Sequence, residues 1–219
     1  MPSQRPSLLT PDADPHDSVL CRHFNVSRPT LPPSTQLPPT ITVRTLGNTH
    51  LPTHILAVSA SVDQGPPMPP LLFPIEATIY SASLRAELPP PLPTSPTTSA
   101  FNHHTGMLTL PLVPLYVPSP PTLALLLLFA LGLEPVPPYH LLPPPVVEEF
   151  PNSAAMAQVL ARTSGLTALF RRNEGLWKNV LALGVREQRV VEVVGMVWNV
   201  TAEARKLRIR TAAAADARR

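Results

Sequence analysis

The placement of proline constrains this chain more than any other feature. All 32 prolines lie between Pro2 and Pro151, and residues 152–219 contain none. Proline has no backbone N–H, and its ring clashes with the preceding turn of a helix. The front of the chain is therefore restricted to short elements between breaks, whereas the rear is free to form continuous helix. Charge divides at the same boundary. Residues 1–151 hold 5 basic and 9 acidic side chains, net −4, and residues 152–219 hold 12 and 5, net +7. All seven histidines precede the boundary.

Composition narrows the class. A lone cysteine, Cys21, makes an internal disulfide impossible, which excludes a small disulfide-stapled scaffold. Aromatic residues are 5% of the chain, which thins any core, while the apolar share of 44% is too high for full disorder. No apolar run opens the sequence, so no signal peptide is expected.

Residues 1–39 read as a solvated, proline-rich tail, disordered and without a core of its own. Ile41–Leu46 (ITVRTL) alternates β-branched residues and predicts a strand, followed by a Gly47-Asn48 turn. The apolar segment His54–Val62 fits either a short helix or a strand. Ile75–Tyr80 (IEATIY) alternates as a half-buried strand, and residues 81–104 read as a mobile Pro/Ser/Thr loop. Met107–Val113 is a third strand, which Pro111 pushes toward a sheet edge.

Leu123–Leu133 (LALLLLFALGL) is the most apolar segment. At ~1.5 Å per residue it reaches about half of a ~30 Å bilayer core, so it predicts a buried helix and not a membrane span. Ser119 is placed to cap it, with Pro120-Pro121 in the first turn. Behind the boundary, Asn152-Ser153 caps AAMAQVLART, Leu176–Leu183 forms a helix ending at Gly184, and a last helix runs from near Arg186 to about Arg210. In it Val190, Val194, Val197, Thr201 and Ala204 share one face. Residues 212–219 are expected to fray. Trp177 and Trp198 sit among aliphatic residues and read as anchors between the last helices.

No constellation points to catalysis. His50 and His54 have the spacing of two helical metal ligands, but Pro52 lies between them, and His103-His104 point apart. Cys21 falls in the tail, where nothing lowers its pKa. No nucleophile elbow, Walker loop or dinucleotide fingerprint is present. The adjacent carboxylates of Glu148-Glu149 diverge, which makes a poor acid–base pair. No catalytic, cofactor or metal residue is assigned, and an enzyme is not expected. An enzyme would instead require convergence among His50, His54, Glu76 and His140.

Two segments offer contact surfaces. Leu123, Leu126, Leu127 and Phe129 give the apolar helix a face for a protein partner or a second copy. Arg205, Lys206, Arg208 and Arg210 crowd the end of the last helix, where cations complement the helix dipole. The same cluster supports an alternative reading as a nucleic-acid contact, although Glu187, Glu192 and Glu203 interrupt the helix and stacking aromatics are absent from its end. The segment Leu88–Pro93 (LPPPLP) has the form of a polyproline II ligand, but Arg85 is one position off the spacing of a basic anchor, and a stiff solvated loop is the favoured reading.

The order of segments resembles the BTB/POZ fold over residues 40–210. Leu51-Pro52-Thr53-His54 stands where that family has a histidine-bearing turn leading into a buried helix. Leu110–Leu133 is similar to its strand followed by an apolar helix, with Ala130-Leu131-Gly132 at the closing turn. More narrowly, VPSPPTLALLLLFALGLE, EEFPNSAAMAQVLAR, GLWKNVLALG and VWNVTAEARKLRIR resemble the C-terminal half of the fungal clampless proteins, regulators of sexual development in basidiomycetes. That resemblance implies a nuclear or cytoplasmic regulator acting through protein contacts, with no catalytic residues to carry over.

The expectation is an α+β domain over residues 40–211. In it a small proline-interrupted sheet packs against a C-terminal helical cluster, in a BTB/POZ-like arrangement. Its role is protein–protein interaction, with neither cofactor nor membrane involved.

Overall fold

A computed structural model describes residues 16–32, 36–61, 69–91, 99–135 and 140–217. The fold is α+β: a curled five-stranded sheet in the front of the chain and a helical cluster behind it. The elements run α1 (His16–His23), β1 (Thr40–Arg44), β2 (His54–Ala60), β3 (Leu71–Ile75), α2 (Ala77–Ser83), β4 (Ala100–Asn102), β5 (Met107–Val117), α3 (Pro120–Ala130), α4 (Pro144–Val147), α5 (Ser153–Arg162), α6 (Leu166–Leu183) and α7 (Gln188–Asp216).

The sheet order is β1-β5-β2-β3, with β4 also paired to β5. β5 is the central strand, not the edge strand expected from Pro111. Its first half pairs antiparallel with β1 and β4, and its second half runs parallel to β2 from Leu112 onward. Pro111 falls where the partner changes from β4 to β2. Backbone donors alternate sides along a strand. The Leu112 N–H bonds Pro39 O on the β1 side, so the donor missing at Pro114 falls on that side too, beyond the end of β1. Pro74 lies in β3, which pairs only with β2 and so leaves one edge unused. The prolines occupy positions where no ladder bond is lost.

Several sequence expectations are corrected here. The tail is not extended throughout: α1 buries Val19, Leu20 and Cys21, and Phe24 and Val26 follow them into the core. A short apolar stripe outweighs the surrounding proline. Residues 1–15 and 33–35 of the tail lie outside the described residues.

Ile75–Tyr80 is not a strand. Ile75 ends β3, and the Glu76 carboxylate accepts the N–H groups of Thr78 and Ile79, which starts α2 and buries Tyr80. The expected loop 81–104 is ordered at both ends. Leu84 is buried and bridged to Val185, the Arg85 N–H bonds Leu183 O and Gly184 O, and residues 100–102 form β4; residues 92–98 lie outside the described set, with the end of LPPPLP. His54 opens strand β2, not a helix, so the turn likened to BTB/POZ leads into the sheet.

α3 matches the expectation of a buried helix, since Thr122 to Ala130 are all buried. Ser119 does not cap with its side chain. Instead the Asn179 side chain of α6 holds it: Asn179 Oδ1 accepts the Ser119 N–H at 3.0 Å, and Nδ2 donates to Ser119 O at 2.7 Å and Thr122 Oγ1 at 3.1 Å. Pro120 and Pro121 have no N–H, so two orphan donors of the first turn never arise. At the other end Gly132, at φ 67°, turns the chain so that the Leu133 and Glu134 N–H groups reach Leu128 O.

Helix α6 begins at Leu166, ten residues before the expected start, and carries Asn173-Glu174-Gly175 within it. Gly175 is needed for contact and not for a turn: a Cβ there would sit 2.8 Å from Ser119 Cβ. Helix α7 runs to Asp216, past the expected end near Arg210 and into the segment expected to fray. The run Ala212–Ala215 sustains it, because alanine is the best helix former. The expected Asn152 cap of α5 is present, with Asn152 Oδ1 accepting the Ala155 N–H.

The proline boundary is not a structural one. Asn179 ties α6 to α3, Leu84–Ala86 are bonded to Leu183–Val185, and Arg172 and Asn173 both donate to Leu141 O. Replacing the buried Asn179 by Ala strands the half-buried Ser119 N–H and leaves a void. We expect a loss of about 2–4 kcal/mol in urea unfolding, against less than about 0.5 kcal/mol for Asn199→Ala on the exposed face of α7.

Candidate interaction surface

The four apolar candidates are unavailable to a partner. Leu123, Leu126 and Leu127 have no exposed surface and Phe129 is 1% exposed. They lie in the core that α3 shares with α1, β2, β3 and α6. A helix apolar on every side is stable in water only when it is covered on every side, and here the chain covers it itself.

The basic candidates lie together at the far end of α7, each in a different setting. Arg208 is half-buried and donates from Nε to Ala161 O at 2.8 Å and from a terminal nitrogen to Thr163 O, so it closes the C-terminus of α5. Arg205 is exposed with its guanidinium 4.3 Å from the Phe170 ring centre. Lys206 and Arg210 both reach Glu203, at 3.4 and 2.8 Å. The expected cluster is thus a fan around one helix and not one patch.

Two open grooves flank this end. One, of about 510 Å³, lies between α5 and α7 over Ala161, Leu207, Ala212 and Ala215, with Arg162 and Arg208 beside it. The other, of about 370 Å³, lies between α6 and α7 and includes Phe170, Arg171, Glu174 and Ile209. α7 from Ile209 to Ala217 is exposed. Sequence reasoning identified the cations but missed the grooves. The signal was there in Ala212–Ala215, which continues the helix past its neighbours.

The residues weighed for catalysis do not gather. His54 begins β2, its Nδ1 2.9 Å from Thr53 Oγ1, and lies within electrostatic range of Glu76. The Glu76 carboxylate is committed to capping α2. His50 lies on a turn with its ring 6.0 Å from that of His23. His140 belongs to a different cluster, with Glu134, His16 and Arg172. His103 packs edge-on against Phe101. Among the described residues no three His, Cys, Asp or Glu side chains are grouped to hold a metal. Nor is any described helix long and apolar enough to cross a membrane.

Cys21 is buried in α1, and burial pushes its thiol up to about 11. The expected inertness thus has another cause: desolvation, not a solvated tail. The tryptophans sit at the α6–α7 contact but are only half-buried. The Trp177 ring covers Gly195, and the Trp198 ring lies 5.2 Å from that of Phe170.

Three histidines carry a pH signature. Burial lowers the pKa of His16, with Arg172 adding to it and Asp17 opposing. Burial likewise lowers His54 and His140, against Glu76 and Glu134 respectively. A histidine depressed in the folded state binds its proton more readily when unfolded. Its contribution is therefore present above the unfolded value of about 6.5 and is lost as pH falls through the folded value. The urea midpoint should fall as pH is lowered from 7 toward 5, and His16→Gln or His140→Gln should flatten that fall. A midpoint independent of pH over this range contradicts the assignment. Arg208→Ala should cost roughly 1.5–3 kcal/mol by opening the end of α5, whereas Lys206→Ala should cost under about 0.5 kcal/mol, both read by urea unfolding.

The sheet, the enclosed apolar helix and the basic helical end define an α+β module with open grooves at its helical end. Two family models account for it. That of the Clampless protein 1 N-terminal domain matches residues 13–118, and that of the Clampless protein 1 C-terminal domain matches residues 112–219. The matches meet in β5 and together span residues 13–219; the chain belongs to the clampless protein family. No curated protein and no solved structure matches it.

Proposed function

We propose that the chain is a non-enzymatic regulator of fungal sexual development that acts through protein–protein contacts, in the nucleus or cytoplasm. Family membership supports the regulatory role in fungi. One observation carries the contact surface: α7 continues for two turns beyond Ile209 as exposed helix, with an open groove on each side and basic side chains around it. A helix end left uncovered beside apolar concavities is suited to a partner and has no evident use in chemistry.

A BTB/POZ-like relationship is a further part of this reading. It is supported by the order of sheet, enclosed apolar helix, glycine turn at Gly132 and following helices. The strand at His54–Ala60 is the element that departs from it.

Nucleic acid is the second reading, and the basic side chains favour it. It is weakened because Lys206 and Arg210 share Glu203 and Arg208 is engaged with backbone carbonyls. Phosphate binding would draw on the same cations and give a steep salt dependence.

Affinity capture from a basidiomycete extract tests the proposal. The full chain should retain at least one protein reproducibly and in near-stoichiometric amount. A chain cut after Arg210 should lose it, while its unfolding free energy stays within about 0.5 kcal/mol of the parent, since residues 211–217 are exposed. A monodisperse monomer that captures no protein reproducibly contradicts the reading.

A further inference from the structure

We propose that the groove between α5 and the last turns of α7 is a docking site for an acidic amphipathic helix of a partner protein. The inference rests on the protein-contact reading above and specifies the partner's chemistry.

Shape argues for a helix. Leu207, Arg208, Thr211, Ala212 and Ala215 recur at helical spacing and so present one continuous face of α7 to the groove. Ala161 faces it from α5. Small side chains on both walls let a third backbone approach closely, and a groove between two helices fits another helix better than an extended strand. The wall is also formed in advance, because alanine holds this stretch helical without cover. A partner then orders only itself on binding.

Charge argues for acid. Arg162 and Arg208 border the groove, and among the described residues no carboxylate lines it. Among the described residues neither guanidinium has a carboxylate within ion-pair distance; Glu203 is shared by Lys206 and Arg210, and Asp216, which ends α7, is not among the lining residues. The α6–α7 groove is a weaker candidate, since Glu174 lines it and the Arg205 cation lies over Phe170. A second copy docking through the same end would set one +7 region against another. Duplex or single-stranded nucleic acid fits less well, because the groove floor is aliphatic and offers no ring on which a base could stack.

Fluorescence anisotropy on the full chain provides the test. The probes are a synthetic amphipathic helix with Leu and Ala on one face and Glu on the other, the same peptide with Gln for Glu, and a short DNA duplex. The Glu peptide should bind, and the Gln peptide should bind at least about tenfold more weakly. The double variant Ala212→Glu/Ala215→Glu should weaken the Glu peptide by at least about tenfold with an unchanged circular dichroism spectrum, because both side chains are exposed. Leu181→Glu, on the exposed face of α6, should leave binding unchanged. The proposal is overturned by no binding of the Glu peptide, by equal binding of the Gln peptide, by indifference to the double variant, or by preferential binding of the duplex. If the double variant still captures the cellular partner, the groove assignment fails while the protein-contact reading stands. If neither capture nor peptide binding occurs, both fail.

Discussion

The structure depends on the enclosure of one helix. From Thr122 to Ala130 every residue of α3 is buried, and the helix has no polar face to turn to water. Leaving one such leucine exposed would forgo roughly 1.5–3 kcal/mol. That demand brings the two compositionally different parts of the chain together: α1 and the sheet cover α3 on one side, and α6 covers it on another. Close approach requires Gly175 opposite Ser119, and the polar first turn is satisfied by Asn179, which is buried and hydrogen-bonded through both ends of its amide. A polar group in such a place is tolerable only when it is fully bonded.

Proline, which at first reading argues against a sheet, is accommodated by topology. β5 changes partners at its centre, so Pro111 falls at the end of the β1 pairing, and Pro114, within the β2 pairing, has its missing donor on the side that β1 no longer reaches. β3 carries Pro74 on a strand with one free edge. Proline also helps at the start of α3, where a missing donor removes a need for capping. A sheet of this kind buries α3; its β3 edge is interrupted by Pro74, and its β1 edge is bonded at one end to Val26 and Ser27. The open grooves lie among the helices.

The elements most readable from the sequence were those whose signal is local. The alternation of Ile41–Leu46, the apolar run Leu123–Leu133, the Asn152 cap and the valine stripe of α7 each specify an element without outside help. The strand β2, left open between helix and strand, was settled by its pairing on both sides, which no local pattern encodes. Ile75–Tyr80 misled because its alternation is real, but the Glu76 carboxylate caps the following turn more effectively than the sheet could extend. α1 was hidden by the proline around it, and the start of α6 by Asn173-Glu174-Gly175, which looks like a turn until Asn173 is seen bonded to Thr201 across to α7. At the interaction surface the cations were legible from composition. Their division among Glu203, Phe170 and the end of α5 was not, since each partner is distant in sequence or set by helix phase. The apolar candidates were correctly read as a buried helix and wrongly offered to a partner: one segment cannot serve both ends.

A closed interior and an open helical end thus coexist within one chain. Hydrogen exchange along the full chain tests that separation most directly, because protection reports how each segment opens. Amides of α3 should be among the slowest to exchange, together with α6 around Asn179 and the second half of β5, and should release together as denaturant is added. Amides of α7 beyond Thr211 should exchange much faster. Rapid exchange in α3, or release of α3 at a lower denaturant concentration than α6, would contradict the claim that this helix is the shared core of the molecule.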